Sequence, residues 1–161
     1  MHSIDIPVSA DKREFYAQLR AQLASLLAGE RDLVANAANT AALLYHALPE
    51  VNWAGFYFLR GAELVLGPFQ GQPACVRIAL GKGVCGTAAQ TGQTLLVADV
   101  HQFPGHIACD AASRSELVVP LKKGGALIGV LDLDSPRAGR FEPADRAGCE
   151  GLAEVFLAAL E

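Results

Sequence analysis

Apolar positions in the first part of the chain recur at three- and four-residue intervals. In SADKREFYAQLRAQLASLLA, residues 9–28, Phe15, Leu19, Leu23, Leu26 and Leu27 fall at helical spacing. Ser9 is a candidate cap, Asp11 suits the first turn, and Gly29 ends the segment. Residues 31–47 repeat the pattern with Leu33, Val34, Ala37, Ala38, Ala41, Leu44 and Tyr45, and Pro49 stops it. Two amphipathic helices are expected before any strand.

From Val51 the period shortens. VNWAGFYFL and ELVLGPF read as two strands joined by a tight turn at Arg60-Gly61, and ACVRIAL as a third. Gly81 to Gly92 is short, Gly-bracketed and Ala-rich, which suits a brief helix, and TLLVADV follows as a strand. Residues 101–115 show no period and contain Pro104 and Gly105, so a long irregular connection is expected, a kind often functional. SELVVPL and ALIGVLDLD form a hairpin across Lys122-Lys123-Gly124-Gly125. A last helix opens at Phe141-Glu142-Pro143-Ala144-Asp145 and ends near Leu160.

Short turns between successive strands imply an α+β fold. Its sheet has about six mainly antiparallel strands, with the N- and C-terminal helices on one face. No linker or repeat divides residues 1–161, so one domain is expected, with helices over 1–48 and the sheet, loop and C-terminal helix over 49–161.

Composition narrows the function. A chain of 161 residues, 52% of them hydrophobic, buries roughly 68–70% of its unfolded surface and needs no crosslink to fold. The 13 basic residues are scattered against 17 acidic ones, a net charge of -4, which argues against nucleic acid. No apolar run approaches the roughly 18 residues of a membrane span. The opening MHSIDIPVSADKREF does not read as a signal peptide, so a cytoplasmic setting with reduced thiols is expected.

The 4 cysteines therefore need another explanation. Cys75, Cys85 and Cys109 stand at separations of neither a zinc site nor a close redox pair. Each is either a small buried hydrophobe or a redox thiol; Cys149, beside Ala147 and Gly148, suits packing. Cys85 stands at the expected first turn of the short helix, where amide groups and the helix dipole favour thiolate. His101 and His106 lie near Cys109 without a second ligand cluster, so no metal is expected. GKGVCG lacks the phosphate-loop ending, and phosphate binding is a weak reading.

In LIGVLDLD, alternation places Asp132 and Asp134 on the same face. A carboxylate dehydrated in an apolar strand takes a cationic partner or a proton; at a strand end it is simply solvated. Glu116 opens the paired strand, so three carboxylates can converge. Trp53, with Phe56, Tyr57 and Phe58, fits either core or the wall of an apolar pocket.

These residues resemble a known family, the single-domain GAF proteins that act as free methionine-(R)-sulfoxide reductases. The landmarks are Asn52-Trp53-Ala54-Gly55-Phe56-Tyr57, Gly71-Gln72-Pro73-Ala74-Cys75, Gly81-Lys82-Gly83-Val84-Cys85-Gly86, Ile107-Ala108-Cys109-Asp110, Ser115-Glu116-Leu117-Val118-Val119-Pro120 and Leu131-Asp132-Leu133-Asp134-Ser135. The resemblance covers nearly the whole chain and implies a GAF-like fold and an enzyme without a cofactor.

By that resemblance Cys109 is the nucleophile that becomes a sulfenic acid, Cys75 the principal resolving cysteine, and Cys85 a further thiol in the exchange. The disulfide would be reduced by a thioredoxin-type partner. Glu116 or Asp134 would handle the proton that the sulfoxide oxygen needs, and Asp132 would face the substrate ammonium. Trp53 would wall the S-methyl group, with Tyr57 nearby. A homodimer is a further implication, with the N-terminal helix as candidate interface. Two other classes compete: a GAF sensor of small molecules and a thiol switch for peroxide. Cyclic-nucleotide GAF domains carry an Asn-Lys-Phe-Asp-Glu pattern. Here Phe141 and Asp145 keep one spacing, but Arg146 replaces the final acid and the leading Asn and Lys are missing, which disfavours nucleotide sensing.

Overall fold

The structure, a computed structural model, describes residues 3–9, 11–107 and 111–160; Cys109 lies outside the described residues. Helix α1 spans Lys12–Leu26 and α2 Leu33–Ala47; strands β1 (Trp53–Arg60), β2 (Glu63–Gly71) and β3 (Arg77–Ala79) follow. Helix α3 covers Gly83–Thr91, β4 Leu95–Val97, β5 Ser115–Lys123, β6 Ala126–Ser135 and α4 Pro143–Ala158. The six strands form one antiparallel sheet in the order β3-β2-β1-β6-β5-β4.

Local chemistry sets the ends of these elements. Asp11, not Ser9, caps α1: its carboxylate accepts the Arg13 amide at 2.9 Å, while the Ser9 hydroxyl accepts the Asp11 amide at 3.2 Å. A charged acceptor at the cap takes the exposed amide in preference to a hydroxyl. The third strand is shorter than ACVRIAL because residues before Arg77 are held by other groups than a strand ladder. The strand expected in TLLVADV likewise stops at Val97. Asp99 then accepts the His101 amide at 3.1 Å and starts a 3-10 turn, Val100–Gln102.

Alternation along the central strands gives the sheet two buried faces. Ala54, Phe56, Phe58, Leu117, Val119, Leu121, Leu131 and Leu133 point to the layer made by α1, α2 and α4. Trp53, Tyr57, Val118 and Val130 point the other way and pack with Val84, Cys85 and Ala88 of α3. The helical layer carries most of the core. The α3 side leaves a gap over the middle of the sheet.

Candidate active site

That gap is a cleft of about 540 Å³, counted to its open mouth. Its floor is made by one row across three neighbouring strands: Trp53 of β1 faces Asp134 of β6, which faces Glu116 of β5. In the next row on the same face Gly55 lies opposite Asp132. Gly55 is required there, because a Cβ would strike Phe69 and the Trp53 ring. The absent side chain lets the indole lie flat in the cleft, stacked between Phe69 at 5.2 Å and Tyr57 at 5.9 Å. The aromatic segment thus divides by alternation, Phe56 and Phe58 to the core and Trp53 and Tyr57 to the cleft.

The three carboxylates meet as their positions on paired strands predict. Glu116 and Asp132 are buried at 7% and 5% exposure, which excludes simple solvation for both. Burial raises Glu116 well above the carboxylate range, and the nearby Asp132 and Asp134 raise it further. Burial also raises Asp132, to about 6. Two acids sharing one dry site favour retaining a proton between them. Asp132 Oδ1 is buried without a hydrogen-bond partner among the described residues.

Cys85 occupies the first turn of α3 as expected, but its thiolate is not favoured. Burial pushes the thiol well up, and Asp132, Glu116 and Asp134 push it further; its Sγ lies 3.7 Å from Glu116 Oε1. Three carboxylates outweigh one helix terminus, a balance decided by strands far away in sequence. Cys85, Glu116 and Asp132 also offer donor atoms within 4.8 Å of one another. Three separate elements supply these donor atoms, a proximity that no spacing along the sequence indicated.

Cys75 lies half-buried on the loop from β2 to β3 and is disulfide-bonded, whereas Cys85 and Cys149 are free and buried. Cys149 packs in the helical layer, as its surroundings suggested. Lys82, Gln72, His106 and Ser113 also line the cleft. His106 had drawn notice in the sequence for metal binding, and Gln72 and Lys82 only as members of the landmark segments. Lys82 and Gln72 carried no periodic signal, since loops bring them in. Lys82 is the N-cap of α3 and gives it no side-chain cap, so the first amides of the helix border the cleft without that partner.

Comparison with known proteins fits this arrangement. The GAF domain profile matches residues 12–160. The free methionine-R-sulfoxide reductase of Escherichia coli is 55% identical over 142 residues, 88% of this chain and 86% of that one. The structure of free methionine-R-sulfoxide reductase from Neisseria meningitidis, in complex with its substrate, superposes with a TM-score of 0.94 at 45% identity, covering 99% of this chain and 96% of the other. A Burkholderia vietnamiensis structure described as a GAF sensor shares 66% identity, with a TM-score of 0.89 over 92% and 94% of the two chains. With the GAF profile spanning nearly its full length and such close relatives over most of it, the chain belongs to the GAF domain family, in the group that contains the free methionine-R-sulfoxide reductases.

Proposed function

We propose that this protein reduces free methionine-(R)-sulfoxide to methionine with thiols as the reductant. The observation that carries the reading is the juxtaposition of a buried Glu116, a stacked Trp53 and a cysteine loop around one cleft, in a chain 55% identical to a protein of that name.

A free amino acid brings an ammonium and a carboxylate that a peptide residue lacks. The burial of Asp132 in the cleft, with one carboxylate oxygen lacking a hydrogen-bond partner among the described residues, supports its pairing with the ammonium. Lys82 and the first amides of α3 supply positive potential for the carboxylate. A peptide would leave both ends unpaired, so the cleft selects the free substrate. Trp53 walls the S-methyl group, and Tyr57 flanks it.

In the chemical step Cys109 attacks the sulfoxide sulfur while Glu116 delivers a proton to the oxygen. The register that sets Asp134 opposite Glu116 supports a share for it in handling that proton. Oxygen passes to Cys109 as a sulfenic acid; the substrate sulfur gains two electrons and methionine leaves. Cys75 then closes a disulfide on Cys109, with Cys85 a further thiol able to join the exchange. A thioredoxin-type dithiol reduces the disulfide and becomes oxidised itself. The oxidised state of Cys75, beside two free thiols, supports its place as the resolving residue. The raised Cys85 thiol supports a secondary role for it, since only the thiolate attacks.

The expected result is NADPH consumption, coupled through thioredoxin and its reductase, with the free R but not the free S sulfoxide. Cys109→Ser abolishes it. Binding of either isomer without turnover would favour a sensor, and equal oxidation by peroxide a redox switch.

A further inference from the structure

We propose that Tyr57 is a positioning residue for the second half of this reaction: its hydroxyl holds the Cys75 loop where that thiol can close on Cys109. The inference rests on the reductase reading and concerns the step after methionine has left.

The loop that follows β2 has little structure of its own. β3 offers only three ladder pairs to β2, Pro73 has no amide hydrogen to donate, and Gln72, Pro73 and Val76 are exposed. Three of its carbonyls are nevertheless held. Trp53 Nε1 donates to the Gln72 carbonyl at 3.1 Å, the Tyr57 hydroxyl to the Cys75 carbonyl at 2.9 Å, and the Leu66 amide to the Val76 carbonyl at 2.9 Å. The Tyr57 bond is made at the cysteine itself.

Tyr57 is a rigid anchor. It is 2% exposed, sits on the central strand β1 and is stacked with Trp53. Burial, followed by the charges of Asp132 and Cys85, raises its hydroxyl pKa, so it remains a donor throughout the working range. The bond is present with Cys75 in its disulfide, so it belongs to the arrangement the resolving step must reach.

That step joins the Cys75 thiol to the Cys109 sulfenic acid. The S–H and S–OH bonds break, the S–S bond forms, and the thiol proton leaves with the hydroxyl as water. Cys75 sulfur is oxidised as Cys109 sulfur is reduced. Its rate depends on how often the loop presents Cys75 in reach, which is a matter of effective concentration.

Tyr57→Phe keeps the ring in the cleft and deletes only the donor. In a single turnover without reductant, methionine release and disulfide closure are followed separately, and sulfenic acid is trapped with dimedone. The variant is expected to slow closure relative to methionine release by roughly 3- to 10-fold, the effect of one lost hydrogen bond, and to accumulate trapped sulfenic acid. An unchanged ratio, or a fall in both rates without trapped sulfenic acid, overturns the proposal, since Tyr57 would then act on substrate or not at all. Parent protein that releases no methionine, or releases it without forming a disulfide, defeats the reductase reading instead.

Discussion

Glu116 and Asp132 sit where water cannot solvate their charges, and each is more basic than an ordinary carboxylate. In the proposed mechanism Glu116 must be protonated to act, so the acid-dependent step should weaken as pH rises through its elevated pKa. Glu116→Gln should lower turnover by roughly 10²–10⁴-fold, measured in the coupled assay, with loss of that high-pH limb. The consequence for stability has the same sign. Between the unfolded and the raised folded pKa the native state binds more protons, so stability drains away as pH rises through that window. Asp132→Asn should therefore raise stability at neutral pH by about 1–3 kcal/mol in denaturant titrations, while weakening substrate binding. A stabilised Asp132→Asn with unchanged KM would remove the ammonium assignment.

The helices meet through a different set of groups. Asp145, in the first turn of α4, accepts from Lys12 at 2.6 Å and Tyr16 at 2.8 Å on α1, lies 3.3 Å from Arg140, and takes the Glu142 amide at 2.8 Å in a capping box. Burial alone would raise Asp145, yet these partners hold it below its ordinary range. Its contribution is thus present at neutral pH and lost as pH falls through that depressed pKa. Asp145→Asn should cost about 3–5 kcal/mol by stranding the buried Arg140 guanidinium. Three residues further along the same seam, a Cβ on Gly148 would strike the Tyr16 ring. Gly148→Ala should cost about 1–3 kcal/mol, read as a lower melting temperature. Asp145 is the residue that keeps a fragment of the cyclic-nucleotide pattern, and here it joins helices.

At the scale of the whole molecule the sheet separates two tasks. One face carries the helical layer and its ion cluster; the other carries the cleft, with α3 as its rim. Substitutions at the α1–α4 seam should therefore lower melting temperature while leaving kcat/KM of the folded fraction nearly unchanged, and substitutions at Glu116 should do the reverse. Parallel loss of both quantities in Asp145→Asn would show that the faces are coupled. Among the described residues no helix is long and apolar enough to cross a membrane.

Much of this was written in local periodicity. Spacing of three and four placed α1, α2 and α4 to within a few residues. Alternation put Asp132 and Asp134 on one side, and a short turn brought Glu116 beside them, because side-chain direction and hairpin register follow from backbone geometry alone. The resemblance of the cysteine and tryptophan segments led to the family. Tertiary structure alone decided the protonation of the site. Whether Cys85 is activated or silenced depends on carboxylates 31 residues and more along the chain, and dehydration is a property of everything packed around a group, not of its neighbours in sequence. It also decided that a phenol on β1 holds the backbone of Cys75, 18 residues away, a contact without period or motif.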